Sequence, residues 1–159
     1  MAGLRFSQRK SEEVVHSGGV EMEEYVVFTL SERKYAITLL NIVEILLPSS
    51  VYPIPNSAPN VLGLTNIRGN ILPVLDIKPL LGEDGENGEV NGELTRHIWV
   101  NTGTEDIVVV VDKVNGIKRV SEDNLAEPPE DLAAGRRIRK VILLDNDLIL
   151  VIDPLDLMG

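Results

Sequence analysis

The amino-acid sequence predicts a mainly β protein made of two small barrels of roughly five strands each. Three observations support this prediction. Hydrophobic residues make up 43% of the chain and aromatic residues only 4%, so the core must consist of Val, Ile and Leu, which favour pleated sheets. Short apolar runs alternate with turn residues along the chain. The two halves of the sequence also overlay on each other, which indicates one supersecondary unit used twice.

Composition and charge narrow the functional classes. The formal net charge of −10 disfavours binding to nucleic acid or anionic membrane surfaces, because phosphate groups repel a strongly acidic protein. The absence of cysteine excludes disulfides, thiolate metal sites and cysteine nucleophiles. No apolar run is long enough for a signal peptide or a membrane-spanning helix, so we expect a cytoplasmic protein without direct membrane insertion.

The first third of the chain contains a polar leader followed by strand-like runs. Residues 1–22 show no clear periodicity and are expected to form a flexible N-terminal leader. Strands are predicted at Glu24–Leu30 and Lys34–Thr38. Leu39–Leu47 follows with apolar residues at helical spacing, which predicts a short helix that ends before Pro48.

A hairpin and a loop are predicted next. Val61–Ile67 and Ile71–Leu75 are apolar runs separated by Arg68–Gly69–Asn70, where Gly69 supplies the backbone freedom of a tight reversal. Residues 82–93 are rich in glycine and acidic residues, which predicts a loop. They lack the ligand pattern of a calcium-binding loop, so a solvated loop is favoured over a calcium site.

The second half contains further strand-like runs. Strands are predicted at Arg96–Asn101, Asp106–Val111, Gly116–Val120, Ile138–Leu144 and Leu148–Ile152. Asn115–Gly116 is predicted to form a hairpin turn. Short turns or helices are predicted at Asp76–Leu81 and Asp153–Met158, where the aspartate that ends each strand is expected to cap the turn after it.

An internal repeat relates the two halves. With a shift of 72 residues, Val26, Val27 and Phe28 fall on Ile98, Trp99 and Val100. With a shift of 77 residues, Ile71–Asp76 falls on Leu148–Asp153. Any two β-rich segments overlay in part, but the ungapped match favours a duplication. We therefore predict one domain over 23–158, with barrel units at roughly 24–81 and 94–158 joined by the loop 82–93.

The sequence offers little reactive chemistry. Its only histidines are His16, in the leader, and His97, which is expected to be a partly exposed strand residue. Asp145 and Asp147 are better explained by a solvated turn than by acid–base catalysis. No phosphate-binding loop or nucleophile elbow is present. We therefore predict a protein that is not an enzyme, with no catalytic residue, no metal site and no cofactor.

A resemblance to a known family covers nearly the whole predicted domain, from 24 to 158. The segment Ile54–Leu81 resembles the signature region of CheW-domain proteins, in its Asn66–Gly69 turn and its Ile71–Asp76 strand. The resemblance implies two five-stranded, SH3-like β-barrels with short helices. It also implies a scaffold in chemosensory signal transduction. Such an adaptor couples chemoreceptors (methyl-accepting chemotaxis proteins) to the histidine kinase CheA of a two-component system.

The resemblance also implies two binding surfaces. The cytoplasmic tip of a chemoreceptor would contact Ile42, Glu44, Asn66 and Arg68. The regulatory domain of the kinase would contact Leu62 and Gly63. An arginine on a tight turn is presented to solvent, and its guanidinium group binds carbonyl or carboxylate groups in a fixed geometry. Arg68 is therefore expected to pair with Glu44 or with a partner.

Two alternatives remain open. The first is an adaptor of a non-motility chemosensory pathway, which the sequence does not distinguish from a chemotaxis adaptor. The second is a small-ligand-binding β-barrel protein that uses the groove between the two units. This second function requires a pocket with convergent polar groups, and the sequence shows no candidate set of them.

Overall fold

The computed structural model describes residues 3–5, 15–17, 20–83, 92–133 and 137–158. The strands of these residues are β1 (Leu4–Arg5), β2 (Val15–Ser17), β3 (Val20–Leu30), β4 (Arg33–Thr38), β5 (Ile42–Leu46), β6 (Val61–Ile67), β7 (Asn70–Leu75), β8 (Arg96–Asn101), β9 (Asp106–Val111), β10 (Lys113–Ser121), β11 (Leu125–Ala126), β12 (Ile138–Leu144) and β13 (Asp147–Ile152). Short 3-10 helices lie at Leu39–Asn41, Pro79–Leu81, Glu122–Asn124 and Pro154–Leu157, and one short α-helix, α1, at Glu130–Ala133. The prediction of a mainly β protein with short helices is confirmed.

The strands form two sheets with the same internal order. Sheet A has the order β1-β5-β8-β9-β7-β6, and sheet B has the order β10-β3-β4-β13-β12-β11, with β2 paired to β3. Under the sequence shifts of 72 and 77 residues, the run β5-β8-β9-β7-β6 corresponds strand by strand to the run β10-β3-β4-β13-β12. Each run contains one parallel pair at the equivalent place, β7 with β9 and β13 with β4. The internal repeat is therefore visible in the topology.

The two sheets do not follow the predicted division of the chain into 24–81 and 94–158. Sheet B combines β3 and β4 from the first half with β10, β12 and β13 from the second, while sheet A combines β5, β6 and β7 with β8 and β9. The two repeats have exchanged their first hairpins. The chain crosses from sheet B to sheet A at Leu39–Asn41, and from sheet A back to sheet B at Asp112.

Three aliphatic clusters stabilise this arrangement. The largest contains residues from both sheets, including Phe28 and Leu150 of sheet B and Ile98 and Val109 of sheet A. Sheet A has a second cluster around Trp99, and sheet B has a third cluster, which includes Tyr25. The two sheets therefore pack on each other through a shared core, in the region where the sequence predicts a groove.

The predicted helix at Leu39–Leu47 is wrong. The chain forms a 3-10 turn at Leu39–Asn41 and then the strand β5, whose side chains alternate between buried and half-buried positions. Apolar residues at helical spacing and at alternate positions coincide in so short a segment, and β-branched residues favour the strand. Pairing of β5 with β8, with Ile42 opposite Val100, decides between them.

The predicted flexible leader at 1–22 is corrected where the structure describes it. Leu4–Arg5 pairs antiparallel with β5, and Val15–Ser17 pairs with the beginning of β3. Residues 1–2, 6–14 and 18–19 lie outside the described residues. Residues 84–91, which make up most of the predicted loop 82–93, also lie outside the described residues. The preference for a solvated loop over a calcium site therefore stays a prediction.

The predicted turns are mostly confirmed. Arg68 and Gly69 have φ angles of 51° and 90° at the β6–β7 hairpin, and Asp145 and Asn146 repeat this conformation at the β12–β13 hairpin. Asp76 and Asp153 accept hydrogen bonds from the backbone N–H groups two residues later, at 3.1 and 3.0 Å, as expected for caps. By contrast, Asn115–Gly116 is a bulge within β10 and not a hairpin turn.

Candidate protein-interaction surface

The tip of the β6–β7 hairpin is held in place by its own polar side chains. The backbone N–H of Gly69 donates a hydrogen bond to Oδ1 of Asn66 at 2.7 Å. Nδ2 of Asn70 donates to the carbonyl oxygen of Ile67 at 3.0 Å. These bonds satisfy backbone groups that the turn leaves outside the strand ladder. They fix the direction in which Arg68 leaves the hairpin.

The side chain of Arg68 extends from the hairpin to β5 of the same sheet and pairs with Glu44. Nη2 of Arg68 binds Oε1 of Glu44, and Nη1 lies 3.4 Å from Oε2. β5 and β6 stand at opposite ends of the run β5-β8-β9-β7-β6, so this contact requires sheet A to curl back on itself. The Glu44 side chain is only 1% exposed and the Arg68 side chain is 45% exposed. The pair therefore has a buried acid and a solvent-accessible base.

Of the four residues predicted to contact a receptor, two are exposed and two are buried. Asn66 and Arg68 are exposed at the hairpin tip, and Glu44 lies beneath Arg68. Ile42 is 2% exposed and belongs to the core shared by the two sheets. Contact by Ile42 therefore stays a prediction, and its side chain is enclosed by the shared core in this structure.

The two residues predicted to contact the kinase lie together near the beginning of β6. Leu62 is half-buried and packs against the cluster around Trp99. Gly63 has a φ angle of 151° and lies against the backbone of Tyr52, so that a Cβ atom there would approach the carbonyl carbon of Tyr52 to 2.6 Å. Tyr52 and Leu64 exchange two backbone hydrogen bonds of 2.8 and 2.9 Å at this point. The close approach of two backbones accounts for the glycine.

Exposed apolar side chains that the sequence did not single out border this region. Ile71 is 59% exposed and stands directly opposite Asn66 in the hairpin, and Tyr52 is 64% exposed. Ile71 precedes the buried Leu72, so strict alternation along β7 would have indicated its outward position. We call the group of Asn66, Arg68 and Ile71 the Arg68 surface. It combines a guanidinium group, an amide and an apolar side chain, a combination suited to protein contacts.

His97 is buried, which corrects the expectation of a partly exposed residue. It is 3% exposed, and its Nδ1 atom accepts a hydrogen bond of 3.2 Å from the backbone N–H of Ser49. Burial lowers the pKa of His97 below its ordinary value of 6.5. Oγ of Ser49 also bonds to Oγ1 of Thr65 at 2.8 Å, and Thr65 donates to the carbonyl oxygen of Ser50. The neutral histidine thus ties the segment after β5 to sheet A.

Neither a metal cluster nor a membrane-spanning helix is found where the structure can be described. Among those residues, no three histidine, aspartate or glutamate side chains are grouped so as to hold a metal ion. No helix within the same ranges is long and apolar enough to cross a membrane.

Comparison with known proteins gives concordant results. A model of the CheW-like domain family matches residues 24–159. The chain is 26% identical over 132 residues to the chemotaxis protein CheW of Helicobacter pylori, a match that covers 83% of this chain and 78% of that protein. It is 30% identical over 108 residues to protein FrzA of Myxococcus xanthus, covering 67% and 65% of the two chains. The crystal structure of the scaffolding protein TtCheW from Thermoanaerobacter tengcongensis matches with a TM-score of 0.73 at 25% identity, covering 82% of this chain and 88% of that one.

Proposed function

Because the chain belongs to the CheW-like domain family, we propose that it is a non-enzymatic scaffold that couples chemoreceptors to a CheA-type histidine kinase. The observation that supports this most strongly is the family match over 24–159, which includes every strand from β4 to β13 and most of β3. The relatives named as chemotaxis proteins and the matching scaffolding protein agree with it. In this proposal the outer surfaces of the two sheets bind the partner proteins, and no side chain takes part in a chemical reaction.

We assign receptor contact to the Arg68 surface. Arg68 is anchored on one side by Glu44, yet almost half of its side chain remains exposed. A guanidinium group has five N–H donors, so Arg68 retains donors for the carbonyl or carboxylate groups of a partner. Ile71 beside it provides apolar area for the same contact. In the proposed arrangement Glu44 orients Arg68.

We assign kinase contact to the region of Leu62 and Gly63. Leu62 is partly accessible, and the exposed residue Tyr52 lies in the segment whose backbone contacts the neighbouring Gly63. Aromatic side chains such as that of Tyr52 are enriched at the centres of protein interfaces, and Leu62 adds apolar area next to that segment. Because these residues and the Arg68 surface lie on the same hairpin, one hairpin would serve both partners. Such a scaffold would act in the cytoplasm, at membrane-associated receptor arrays.

Two alternatives to this proposal concern the signalling pathway and the class of ligand. The family match does not specify the pathway, so an adaptor of a non-motility chemosensory pathway remains the alternative. The small-ligand alternative is less favoured, because the shared aliphatic cluster occupies the region between the two sheets where the groove was expected.

Co-sedimentation tests the proposed coupling. Membranes that contain a chemoreceptor are mixed with this protein and with a CheA-type kinase from the same genome, and the pellet is analysed. The proposal predicts that this protein pellets with receptor membranes and increases the amount of kinase in the pellet. If the protein stays in the supernatant with every receptor of that genome, the proposed function is wrong.

A further inference from the structure

The outer edge of β5 is covered by a short strand from the beginning of the chain. Leu4 of β1 stands opposite Ile45, and Arg5 stands opposite Glu44. Without β1, β5 would be the edge strand of sheet A. The edge that β1 covers therefore belongs to the strand that carries Glu44, the residue that anchors Arg68.

Gly3 fits closely over the Glu44 side chain. A Cβ atom at Gly3 would lie 2.8 Å from Oε2 and 3.2 Å from Cγ of Glu44, and it would clash with the carbonyl oxygen of Ile45. Since a backbone oxygen does not move aside as a flexible side chain does, only glycine fits at this position while β1 is paired. The contact covers the same carboxylate group that binds Arg68.

The equivalent strand of the other repeat is protected differently. β10 corresponds to β5 and forms one end of the order of sheet B. Its exposed residues include Lys113, Lys118 and Arg119, and charged side chains of this kind discourage the addition of a further strand. β5 has the sequence Ile-Val-Glu-Ile-Leu, with one charge and no lysine. An edge of this composition is a template for strand addition, and β1 fills it.

We propose that β1 is a displaceable strap that seats on β5, covers Glu44 and competes with the docking of a receptor at the Arg68 surface. This inference rests on the proposed function. A strand of two residues makes few ladder hydrogen bonds, so the seated state is only moderately favoured over the open state. Opening uncovers the β5 edge and the Glu44 carboxylate next to Arg68. The receptor then binds the open state, and its apparent affinity is reduced by the fraction of closed molecules.

The test uses the full-length chain with the substitution Gly3→Ala, which is expected to prevent seating of β1. Gly103→Ala is the control: its φ angle of 104° makes the substitution locally strained, but the added Cβ meets no atom within 4 Å, so it reports the effect of a glycine-to-alanine change away from β1. Hydrogen–deuterium exchange is measured on the amides of β5 and of β8. Affinity for membranes that contain a receptor is measured in parallel. For a strap closed in about ten molecules for each open one, Gly3→Ala is expected to raise the affinity about tenfold, equivalent to 1.4 kcal/mol.

Each outcome of the test decides the proposal. Faster exchange in β5 but not in β8, together with the rise in affinity for Gly3→Ala alone, supports the strap. Unchanged exchange in β5 shows that β1 does not seat on this edge in solution and overturns it. Faster exchange with unchanged receptor affinity shows that β1 seats without competing, which also overturns it. Faster exchange with no receptor binding by any of the proteins instead refutes the proposed function on which the strap depends.

Discussion

The ion pair between Arg68 and Glu44 leads to a stability prediction whose magnitude follows from burial. Arg68→Ala removes the arginine partner of a carboxylate that is 1% exposed. Removing one partner of a fully buried pair costs about 3–5 kcal/mol. Arg68 is 45% exposed, so water replaces part of the lost interaction and the cost is reduced. The expected loss in the free energy of unfolding is about 2 kcal/mol.

A double variant separates the pair interaction from the loss of the side chain itself. In Glu44→Gln/Arg68→Ala the buried carboxylate is replaced by a neutral amide, which requires no cation. We expect this variant to be about 1 kcal/mol more stable than Arg68→Ala alone, since the desolvated charge is gone. Arg139→Ala is a useful control, because Arg139 pairs with Asp156 on the surface, and its midpoint of unfolding is expected to stay close to the wild-type value.

Urea unfolding followed by tryptophan fluorescence is the assay. Trp99 is the single tryptophan, is 6% exposed and stands opposite Glu44 across the β5–β8 pair, so it reports on this part of sheet A. The free energy of unfolding is obtained from the midpoint and the slope of each curve. If Arg68→Ala is as stable as Arg139→Ala, or if the double variant is less stable than Arg68→Ala, the reasoning from burial is refuted. Receptor binding by Arg68→Ala is then interpreted against this measured stability.

Three further predictions concern sites away from this pair. The folded-state pKa of His97 lies below 6.5, so its contribution to stability is complete above that pH and is lost as the pH falls below it. Melting temperatures of the wild type and of His97→Gln, measured from pH 8 to 5, check this prediction. An equal change of melting temperature with pH in both proteins would contradict it. Gly63→Ala forces a Cβ against a neighbouring backbone and is expected to cost about 1–3 kcal/mol in urea unfolding, whereas unchanged stability would show that the two segments separate easily. Lys78 is 3% exposed and binds Asp112 at 2.8 Å, so Lys78→Met is expected to cost about 2 kcal/mol; a melting temperature equal to that of wild type would exclude a stabilising role of the pair.

Local features of the fold were predictable from sequence because local chemistry determines them. The β6–β7 hairpin follows from two alternating runs around Gly69, and its equivalent around Asp145–Asn146 follows from the same pattern. Asp76 and Asp153 cap the next turn because an aspartate at the end of a strand finds backbone N–H groups two residues later. None of these features depends on distant residues.

Features that depend on pairing between distant strands were not predictable in the same way. The segment Leu39–Leu47 fits a helix or a strand by its own pattern, and its pairing with β8 decides for the strand. The repeat in the sequence indicated two equivalent units, but it does not specify which sheet each equivalent hairpin joins. The two-residue strand β1 is too short to show any periodicity.

The candidate site shows the same division. The resemblance indicated Arg68 and Glu44, and the pairing between them was expected as one of two outcomes. The apolar character of Ile42 indicated a core position, but its place in a core shared by both sheets becomes apparent only when the sheets are assembled. The outward position of Ile71, by contrast, follows from the alternation along β7 next to the buried Leu72 and was accessible to sequence reasoning.

Kinase activation tests the adaptor role most directly. Autophosphorylation of a CheA-type kinase is measured with receptor membranes alone, with this protein alone, and with both together, using receptor and kinase from the genome that encodes this chain. The adaptor role predicts strong stimulation only when all three components are present, because two surfaces of one scaffold must be occupied at the same time. Equal kinase activity with and without this protein, in the presence of receptors, would contradict it.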